Sequence, residues 1–224
     1  MSITTFFTYY YDTIFWETVR HIEIILYSIP FAVLFGVTTG FLISGRPRIA
    51  RVVITMASII MTIPSLALFG IMVVVLAPFK LGLGITPAVF AITIYSLLPI
   101  IRNTCTALNE VNPAIIEAAR GMGLSPMQIL LKIKAPLSIP VIMAGVRNAM
   151  VLGVSVATFA FLVAAGGMGY FIFSGIGRSN LPMVLVGAVM ISILGIAINY
   201  ALIRLEKAIT PRGLVIENSE GKTS

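Results

Sequence analysis

Long stretches without a charged side chain dominate the sequence and indicate its secondary structure. Five such stretches, each of 21 to 30 residues, cover 24–45, 52–79, 81–101, 148–177 and 179–203. A helix that crosses a bilayer needs about 20 mostly apolar residues, so each stretch is long enough to span a membrane. Lipid offers no hydrogen-bond partner to the edge of an open sheet, so the spans should be helices. The pattern predicts an all-α polytopic membrane protein with about five transmembrane helices.

The predicted spans divide the chain into three parts. The spans are 22–43, 52–76, 85–101, 139–164 and 183–203. The three parts are an N-terminal interfacial segment over 1–21, a membrane domain over 22–205 with a polar loop over 102–138, and a tail over 206–224. The aromatic residues of the first part, Trp16 among them, suit the headgroup level of a bilayer, and its charges argue against a sixth span. Whether this part inserts nevertheless stays open.

The composition agrees with a membrane protein and excludes an ordinary soluble domain. Hydrophobic residues make up 58% of the 224 residues and charged residues 10%, with a mean hydropathy of +1.06. A soluble domain is roughly 25% charged. The polar stretches are too short for a separate soluble domain. An enzyme that works in water is therefore not expected, nor is a cofactor in this chain.

Few residues could carry chemistry. The single cysteine, Cys105, excludes an internal disulfide and the thiolate clusters that hold zinc or iron–sulfur groups. The single histidine, His21, has Glu17 and Glu23 nearby but no second histidine. The sequence predicts an interfacial residue there, rather than a metal ligand or part of a Ser/His/Asp triad. The segment 221–223, Gly-Lys-Thr, lacks the first glycine of a phosphate-binding loop and the helix that must follow it.

The placement of the charges predicts topology rather than nucleic-acid binding. The net charge is +7, and eleven of the 15 Lys and Arg residues follow the first, third or fifth span. Three lie on the opposite side, and Arg147 lies inside the fourth span. Because cytoplasmic loops carry an excess of Lys and Arg, the N-terminus is expected outside and the C-terminus in the cytoplasm.

Small residues inside two spans indicate close helix packing. Gly36 and Gly40 form a GxxxG pair in the first span, and Gly145, Ala149 and Gly153 repeat small residues along the fourth. Such residues let helix backbones approach closely. The contacts could lie within one chain or at a seam between two copies.

Local signals between the third and fourth spans predict a short helix and an elbow. Asn112 followed by Pro113 is typical of an N-cap and a first helical residue. The helix from Pro113 to Arg120 can end at Gly121 and Gly123. At about 1.5 Å per residue it is only about 13 Å long, too short to be stable alone.

A second short helix should follow the elbow. Ser125 to Gln128 has the S-x-x-Q spacing of a capping box, and the helix that it opens is expected to stop before Pro136. Both helices carry apolar residues and need a surface to dock against. That surface is either the membrane or a partner protein with a groove.

These residues resemble the EAA loop of permease subunits of ATP-binding-cassette importers. The pattern EAA-x3-G-x9-I-x-L-P is matched by Glu117-Ala118-Ala119, Gly123, Ile133 and Pro136, while Ala135 stands where the family prefers Leu. The resemblance implies that the two short helices are coupling helices seated in a cleft of a cytoplasmic ATPase. It also implies that Gly123 permits the elbow and that Glu117 helps to position it.

Further segments are similar to the osmoprotectant branch of these permeases, which moves glycine betaine, carnitine, choline or proline betaine. The segments lie within residues 20–213: 63–68, 82–84, 98–103, 166–169 and 211–213. The resemblance implies the five-helix fold of type I (MetI-like) importer permeases in a bacterial plasma membrane. It also implies the partners: a second permease subunit, identical or homologous, cytoplasmic ATPases that bind ATP and Mg²⁺, and an external solute-binding protein.

Four residues are candidates for the transport path. Pro64 and Ser65 lie in the second span, where the proline removes a backbone donor and is expected to kink the helix. Arg147 and Asn148 lie about nine residues, roughly 13 Å, into the fourth span. A charge at that depth is costly unless it faces water, is paired or reaches the interface. Arg147 is thus either a path residue or an anchor toward the cytoplasmic interface.

Three other functions fit parts of the sequence. A permease for methionine or polar amino acids would share the Gly166-Gly167 turn. A secondary transporter or channel that works alone would account for kinked spans and for Arg147, but not for the loop over 112–136. A membrane scaffold would need no path at all. The exact substrate and the identity of the second permease stay open at the level of sequence.

Overall fold

The computed structural model describes residues 3–210, which consist of helices joined by short turns. The α-helices of this part are α1 Ile3–Ser44, α2 Pro47–Thr62, α3 Ser65–Leu76, α4 Ile85–Asn109, α5 Pro113–Gly121, α6 Pro126–Ile129, α7 Ala135–Val156, α8 Gly169–Gly177 and α9 Leu181–Ile209. Helical turns of other types lie at Ala77–Phe79, Leu130–Lys134 and Ala157–Val163. Residues 3–210 contain no strand, and the all-α prediction is confirmed.

Four helical segments of this part are long and apolar enough to cross a membrane. They are Thr8–Ser44, Ile85–Asn109, Pro126–Val163 and Leu181–Ile209. A fifth candidate is α2 together with α3, which are bent by 98° at their junction. The prediction of about five membrane helices is confirmed. The chain runs between two ends of the bundle, which we name the loop end, where α5 and α6 lie, and the opposite end.

The first span begins earlier in the chain than the sequence predicts. α1 has 42 residues, about 63 Å at helical rise, whereas the hydrocarbon core of a bilayer is about 30 Å thick. Residues 21 and 22 both lie inside α1, so the expected division between an interfacial segment and a membrane domain does not correspond to a break in the helix. Hydropathy marks only the apolar part of a helix, and α1 continues beyond it.

The second predicted span, 52–76, is two helices rather than one kinked helix. α2 ends at Thr62, and Ile63 is extended with φ −65° and ψ 127°. A residue that precedes proline avoids the helical region, and Pro64 has no N–H to donate, so the helix ends here. The corner leaves Pro64 exposed and Ser65 half-buried.

The helix that opens after Ser125 does not stop before Pro136, and this prediction was wrong. α6 continues through the π turn Leu130–Lys134 into α7, and the N–H of Ala135 donates to the carbonyl of Leu130. The wider π turn makes room for the ring of Pro136, so the proline, which has no N–H to donate, lies inside a continuous helical segment. The second short helix and the fourth span are consequently one helical segment, Pro126–Val163.

The centre of the bundle is formed by α1, α4 and α7. Gly36 and Gly40 of α1 lie against Ile100 and Thr104 of α4, where a methyl group on either glycine would come within 2.7 Å of a side-chain atom. A methyl group on Gly145 of α7 would likewise come within 2.6 Å of the side chain of Asn103 of α4. These small residues therefore pack helices of one chain together.

The last helix is the most exposed of the candidate spans. Its outward face carries Leu185, Val189 and Ile193, each 55% exposed, as expected of a helix that faces lipid or another subunit. α9 extends to Ile209, so the expected tail from residue 206 begins inside it. The segment 211–213 and the rest of the tail lie outside the described residues.

Candidate functional site

The loop end carries the two short helices with the caps that the sequence predicts. At α5, Oδ1 of Asn112 accepts a hydrogen bond from the N–H of Ala114 at 2.9 Å. At α6, the N–H of Gln128 donates to Oγ of Ser125 at 3.3 Å, and the N–H of Ser125 donates to Oε1 of Gln128 at 2.8 Å. These bonds satisfy backbone donors that a helix start leaves free. The N-cap and the capping box are confirmed.

Gly123 lies at the elbow between α5 and α6. Its φ is +80°, in the left-handed region that glycine enters at little cost. The N–H of Gly123 donates to the carbonyl of Arg120 at 2.9 Å, and the N–H of Leu124 donates to the carbonyl of Ala119 at 3.1 Å. A side chain at position 123 would meet none of the described atoms within 4 Å. The elbow therefore requires glycine for its backbone conformation and not for lack of space.

The residues of the EAA pattern fall into two groups. Ala119 is 1% exposed and anchors α5, whereas Glu117 and Ala118 are exposed beside it. Ile133 and Pro136 are half-buried on the helical segment that continues into α7. The structure thus places the first group at the elbow and the second where the elbow joins the fourth span.

Large apolar side chains around the elbow are left uncovered. Met122, Met127 and Leu131 are 70%, 63% and 57% exposed. A cleft of about 300 Å³ opens between the end of α4, the start of α5 and the start of α7. Apolar surface of this kind, on a segment that also carries charged residues, is typical of a contact with another molecule.

The corner of the second span is held against α4. The hydroxyl of Tyr95 donates a hydrogen bond to the carbonyl of Ile63, one of the groups left free where α2 ends. Further along α4, Nη2 of Arg102 donates to Oγ of Ser58 at 3.1 Å. Sequence reasoning missed Tyr95 and Arg102, although their spacing of seven residues puts both polar side chains on one side of a helix. α4 therefore supports the corner where the path candidates Pro64 and Ser65 lie.

Arg147 is paired with a residue of α9. Its Nη1 lies 3.3 Å from Oε2 of Glu206, and the two side chains are 29% and 22% exposed. Sequence reasoning assigned Glu206 to the tail and did not find the pair, because the two residues meet only through tertiary packing. The neighbouring Asn148 is exposed, and its side chain makes no hydrogen bond to any of the residues 3–210.

The seam between α7 and α9 carries further polar groups. Ser192, Asn199 and Glu206 recur every seven residues along α9 and therefore share one side of the helix. A groove of about 350 Å³ between the two helices is lined by Ser155, Ser192 and Asn199 among apolar residues. Polar side chains inside membrane helices are costly and characteristically face water, a ligand or another helix.

At the opposite end, α1 binds the turn that links the fourth span to α8. The N–H of Gly167 donates to Oε2 of Glu17 at 2.6 Å, and Nε of Arg20 donates to the carbonyl of Ala165 at 2.8 Å. Arg20 also pairs with Glu23 on its own helix, at 2.6 Å. This polar cluster escaped sequence reasoning, which assigned Glu17 and Arg20 to an interfacial segment and Glu23 to the first span.

His21 is a buried residue of this cluster, a burial that the prediction of an interfacial residue did not include. It is 0% exposed. Its Nδ1 accepts from the N–H of Met168 at 3.3 Å, and its Nε2 donates to the carbonyl of Val154 at 3.1 Å. This pairing requires the neutral ring with its proton on Nε2. Sequence alone could not show the burial, because the partners lie 133 and 147 positions away.

The turn bound by α1 has an irregular backbone. Ala164, Gly166 and Gly167 have φ of 61°, 81° and 94°. A methyl group on Gly167 would come within 3.2 Å of Nδ1 of His21. The adjacent glycines of the sequence therefore provide both the backbone angles and the close approach of α1.

The matched part of the chain includes both ends of the bundle. Residues 24–213 match the family described as binding-protein-dependent transport system inner membrane components. The chain belongs to this family. It is a membrane component of a transport system, in agreement with the resemblance of the EAA loop. The six residues that match the EAA pattern and the four candidates for the transport path all lie within the match.

Curated relatives of this permease are similar over most of its length. The osmoprotectant import permease protein OsmW of Salmonella typhimurium is 39% identical over 197 residues, which cover 88% of this chain and 92% of the relative. The carnitine transport permease protein OpuCB of Listeria monocytogenes is 37% identical over 213 residues, 95% of each chain. The choline transport system permease protein OpuBB of Bacillus subtilis is 35% identical over 199 residues, 89% of each chain.

Solved structures of transporters share the fold of this permease. An inward-facing structure of the MetNI methionine ABC transporter has a TM-score of 0.79 at 24% identity and covers 94% of this chain and 100% of that chain. An amino acid ABC transporter with histidines has a TM-score of 0.76 at 15% identity and covers 93% and 99%. The predicted type I importer permease fold is confirmed.

Proposed function

We propose that this chain is the permease subunit of an ATP-driven importer for small quaternary-ammonium osmoprotectants, of the glycine betaine, choline and carnitine type. The observation that carries the proposal is the elbow of α5 and α6, with its exposed apolar side chains and its unbroken helical connection to α7. A transporter that works alone has no use for such an elbow, whereas an elbow of this shape fits a groove in a partner protein.

The loop end faces the cytoplasm in this proposal. Lys and Arg residues are concentrated there: Arg46, Arg48, Arg102, Arg120, Lys132 and Lys134. The excess of positive charge on cytoplasmic loops then puts the N-terminus outside and the C-terminus inside a bacterial plasma membrane. The turn held by Glu17 and His21 lies at the outer end.

A cytoplasmic ATPase, which binds ATP and Mg²⁺, supplies the energy. Its cleft receives the exposed side chains of Met122, Met127 and Leu131, and Glu117 borders the contact. When the ATPases close on ATP, they move the elbow at Gly123. Because the second short helix runs through the π turn into α7, that movement enters the fourth span directly. This chain transmits the movement, and hydrolysis belongs to the partner.

Two permease subunits, identical or homologous, enclose the path, and an external solute-binding protein delivers the solute. Pro64 and Ser65 form the corner that lines the path from α2 and α3. Arg147 and Asn148 lie near the middle of α7. The Arg147–Glu206 pair reduces the cost of a charge at that depth.

The substrate class is supported by the names of the relatives and by the composition of the spans. The relatives described above are named for osmoprotectants, carnitine and choline. The spans are rich in Met, Phe, Tyr and Gly, and the chain has only 8 acidic residues. Such a lining suits a bulky, weakly hydrated, net-neutral solute better than a metal ion, which needs carboxylates, or a phosphate, which needs clustered cations.

Uptake in cells tests the substrate class. Labelled glycine betaine, choline, carnitine and methionine are compared at raised osmolarity, with and without the gene for this chain. We expect uptake of at least one quaternary-ammonium compound to depend on the chain and methionine uptake not to. Chain-dependent uptake of methionine alone would overturn the substrate class and leave the importer mechanism intact.

A further inference from the structure

The end opposite the loop end carries the largest group of polar contacts between distant segments among residues 3–210. Four consecutive or near-consecutive residues of α1, Glu17, Thr18, Arg20 and His21, bind the turn over 164–168. Three of these contacts are to backbone atoms, and the hydroxyl of Thr18 lies 3.2 Å from the sulfur of Met168. The transport mechanism proposed above uses none of them.

The turn depends on α1 for its shape. The N–H groups of Gly167 and Met168 have their acceptors on Glu17 and His21 rather than within the turn. Three residues of the turn have positive φ, so no regular helical bonds pass through it. A buried N–H without an acceptor is unfavourable. Removal of either α1 side chain would therefore leave the turn free to take other conformations.

The turn also connects elements that meet at this end. It follows the segment Ala157–Val163 and precedes α8. The carbonyl of Val163 accepts a hydrogen bond from the N–H of Gly84, just before α4, at 2.8 Å. Phe171 of α8 is fully buried. A displaced turn would therefore move the starts of both α4 and α8.

An open cleft lies over the turn. It has a volume of about 520 Å³ and is lined by Trp16, Glu17, Arg20, Glu23 and Gly166, among other residues. Irregular backbone at membrane depth is tolerated where protein covers it or where it lines a water-filled space. The cleft leaves the turn accessible from outside the bundle.

We propose that Glu17 and His21 are positioning residues that fix the turn over 164–168 at the outer end of the transport path, so that capture of solute from outside depends on them. The proposal rests on the importer function and orientation given above. It separates the two ends of the molecule: the outer turn governs capture, whereas the loop end governs coupling to the ATPase.

The test compares Glu17→Ala with Asp12→Ala in the assembled, reconstituted importer. Both changes remove one carboxylate from α1, but Asp12 is exposed and its side chain makes no hydrogen bond within the described part of the chain. Uptake is measured against the concentration of solute-loaded binding protein. For Glu17→Ala we expect a half-saturating concentration raised roughly three- to tenfold, the loss typical of one hydrogen bond. The maximal rate and ATP hydrolysed per solute should stay close to wild type, and Asp12→Ala should match wild type in every value.

A second variant and a second readout keep structural damage apart from positioning. His21→Leu removes both hydrogen bonds of the ring and should raise the half-saturating concentration. His21→Asn retains a short polar side chain, so its half-saturating concentration should lie closer to that of wild type. Hydrogen exchange of the amides over 165–168 is measured on the same complexes. It should be faster in Glu17→Ala and unchanged in Asp12→Ala.

The exchange readout does not require transport, so it distinguishes this proposal from the importer function itself. A wild-type complex that moves none of the tested solutes would refute the importer function. Unchanged exchange in Glu17→Ala would overturn the positioning role. So would a lower maximal rate and lower yield of complex with an unchanged half-saturating concentration.

Discussion

Two glycines at the loop end, Gly121 and Gly123, differ in backbone conformation, and substitutions can test what that difference contributes. Gly123 has φ +80°, whereas Gly121 is the last residue of α5 and has a helical backbone. A side chain at either position would meet none of the described atoms within 4 Å. Valine at a positive φ costs about 1–3 kcal/mol, whereas valine at a helix end carries no such strain. The pair therefore separates backbone strain from added bulk.

We expect Gly123→Val to lower uptake about tenfold or more, since 1.4 kcal/mol corresponds to a factor of ten. Gly121→Val should lower uptake far less. Uptake by Gly123→Asn should lie between those of the two valine variants, because asparagine tolerates the left-handed conformation. Uptake, membrane abundance and co-purification of the ATPase are measured for all three. Wild-type uptake and wild-type co-purification by Gly123→Val would remove the elbow from the coupling mechanism.

Among the elements, α7 and α9 share an ion pair that a charge exchange can test. Arg147 and Glu206 lie 3.3 Å apart, and removing one partner leaves a partly buried charge unpaired, at a cost of about 1–3 kcal/mol. Arg147→Glu and Glu206→Arg should each lower uptake and abundance, because each brings like charges together. The double reversal should recover more than half of the loss.

The control for this exchange is Arg147→Lys, which retains the charge and can still reach Glu206. Its uptake and abundance should fall less than those of either single charge reversal. If the double reversal is no better than the single ones, the pair contributes nothing, and Arg147 acts alone at its site. Normal uptake by Arg147→Ala would remove Arg147 from the transport path altogether.

Elements governed by local signals were the ones that the sequence predicted well. The spans follow from apolar runs, and the caps of α5 and α6 follow from Asn112 and from Ser125 with Gln128, whose partners lie within three residues. The prediction failed at Pro136 because the π turn Leu130–Lys134 lets the helix continue past the proline, and no residue pattern in the sequence marks such a turn. It also failed at the corner, where Pro64 ends a helix and α4 fixes the new direction.

The candidate site could be predicted from the sequence only where its signals are local. Gly123 has a signal in the chain itself, namely a glycine between two capped helices. The pairing of Arg147 with Glu206 and the burial of His21 depend on residues that are far apart in sequence and meet in the folded bundle. A single sequence contains no periodicity that reports such contacts.

In the whole molecule, one helical segment joins the two ends. Pro126–Val163 has 38 residues, about 57 Å at helical rise, and runs from the elbow to the turn that α1 holds. It packs on α4 through Gly145 and is tied to α9 through Arg147. A displacement of the elbow would therefore reach the opposite end along a continuous element rather than through a flexible loop.

The central claim is that this chain moves solute only when a partner ATPase drives it through the elbow. Accumulation of labelled glycine betaine in reconstituted vesicles, with binding protein outside, tests this claim most directly. We predict accumulation above the external concentration when the ATPase and ATP are present, none when either is omitted, and uptake lowered about tenfold or more when the chain carries Gly123→Val. Equally fast entry of glycine betaine with the chain alone, without ATPase or ATP, would contradict the account and identify a transporter that works by itself.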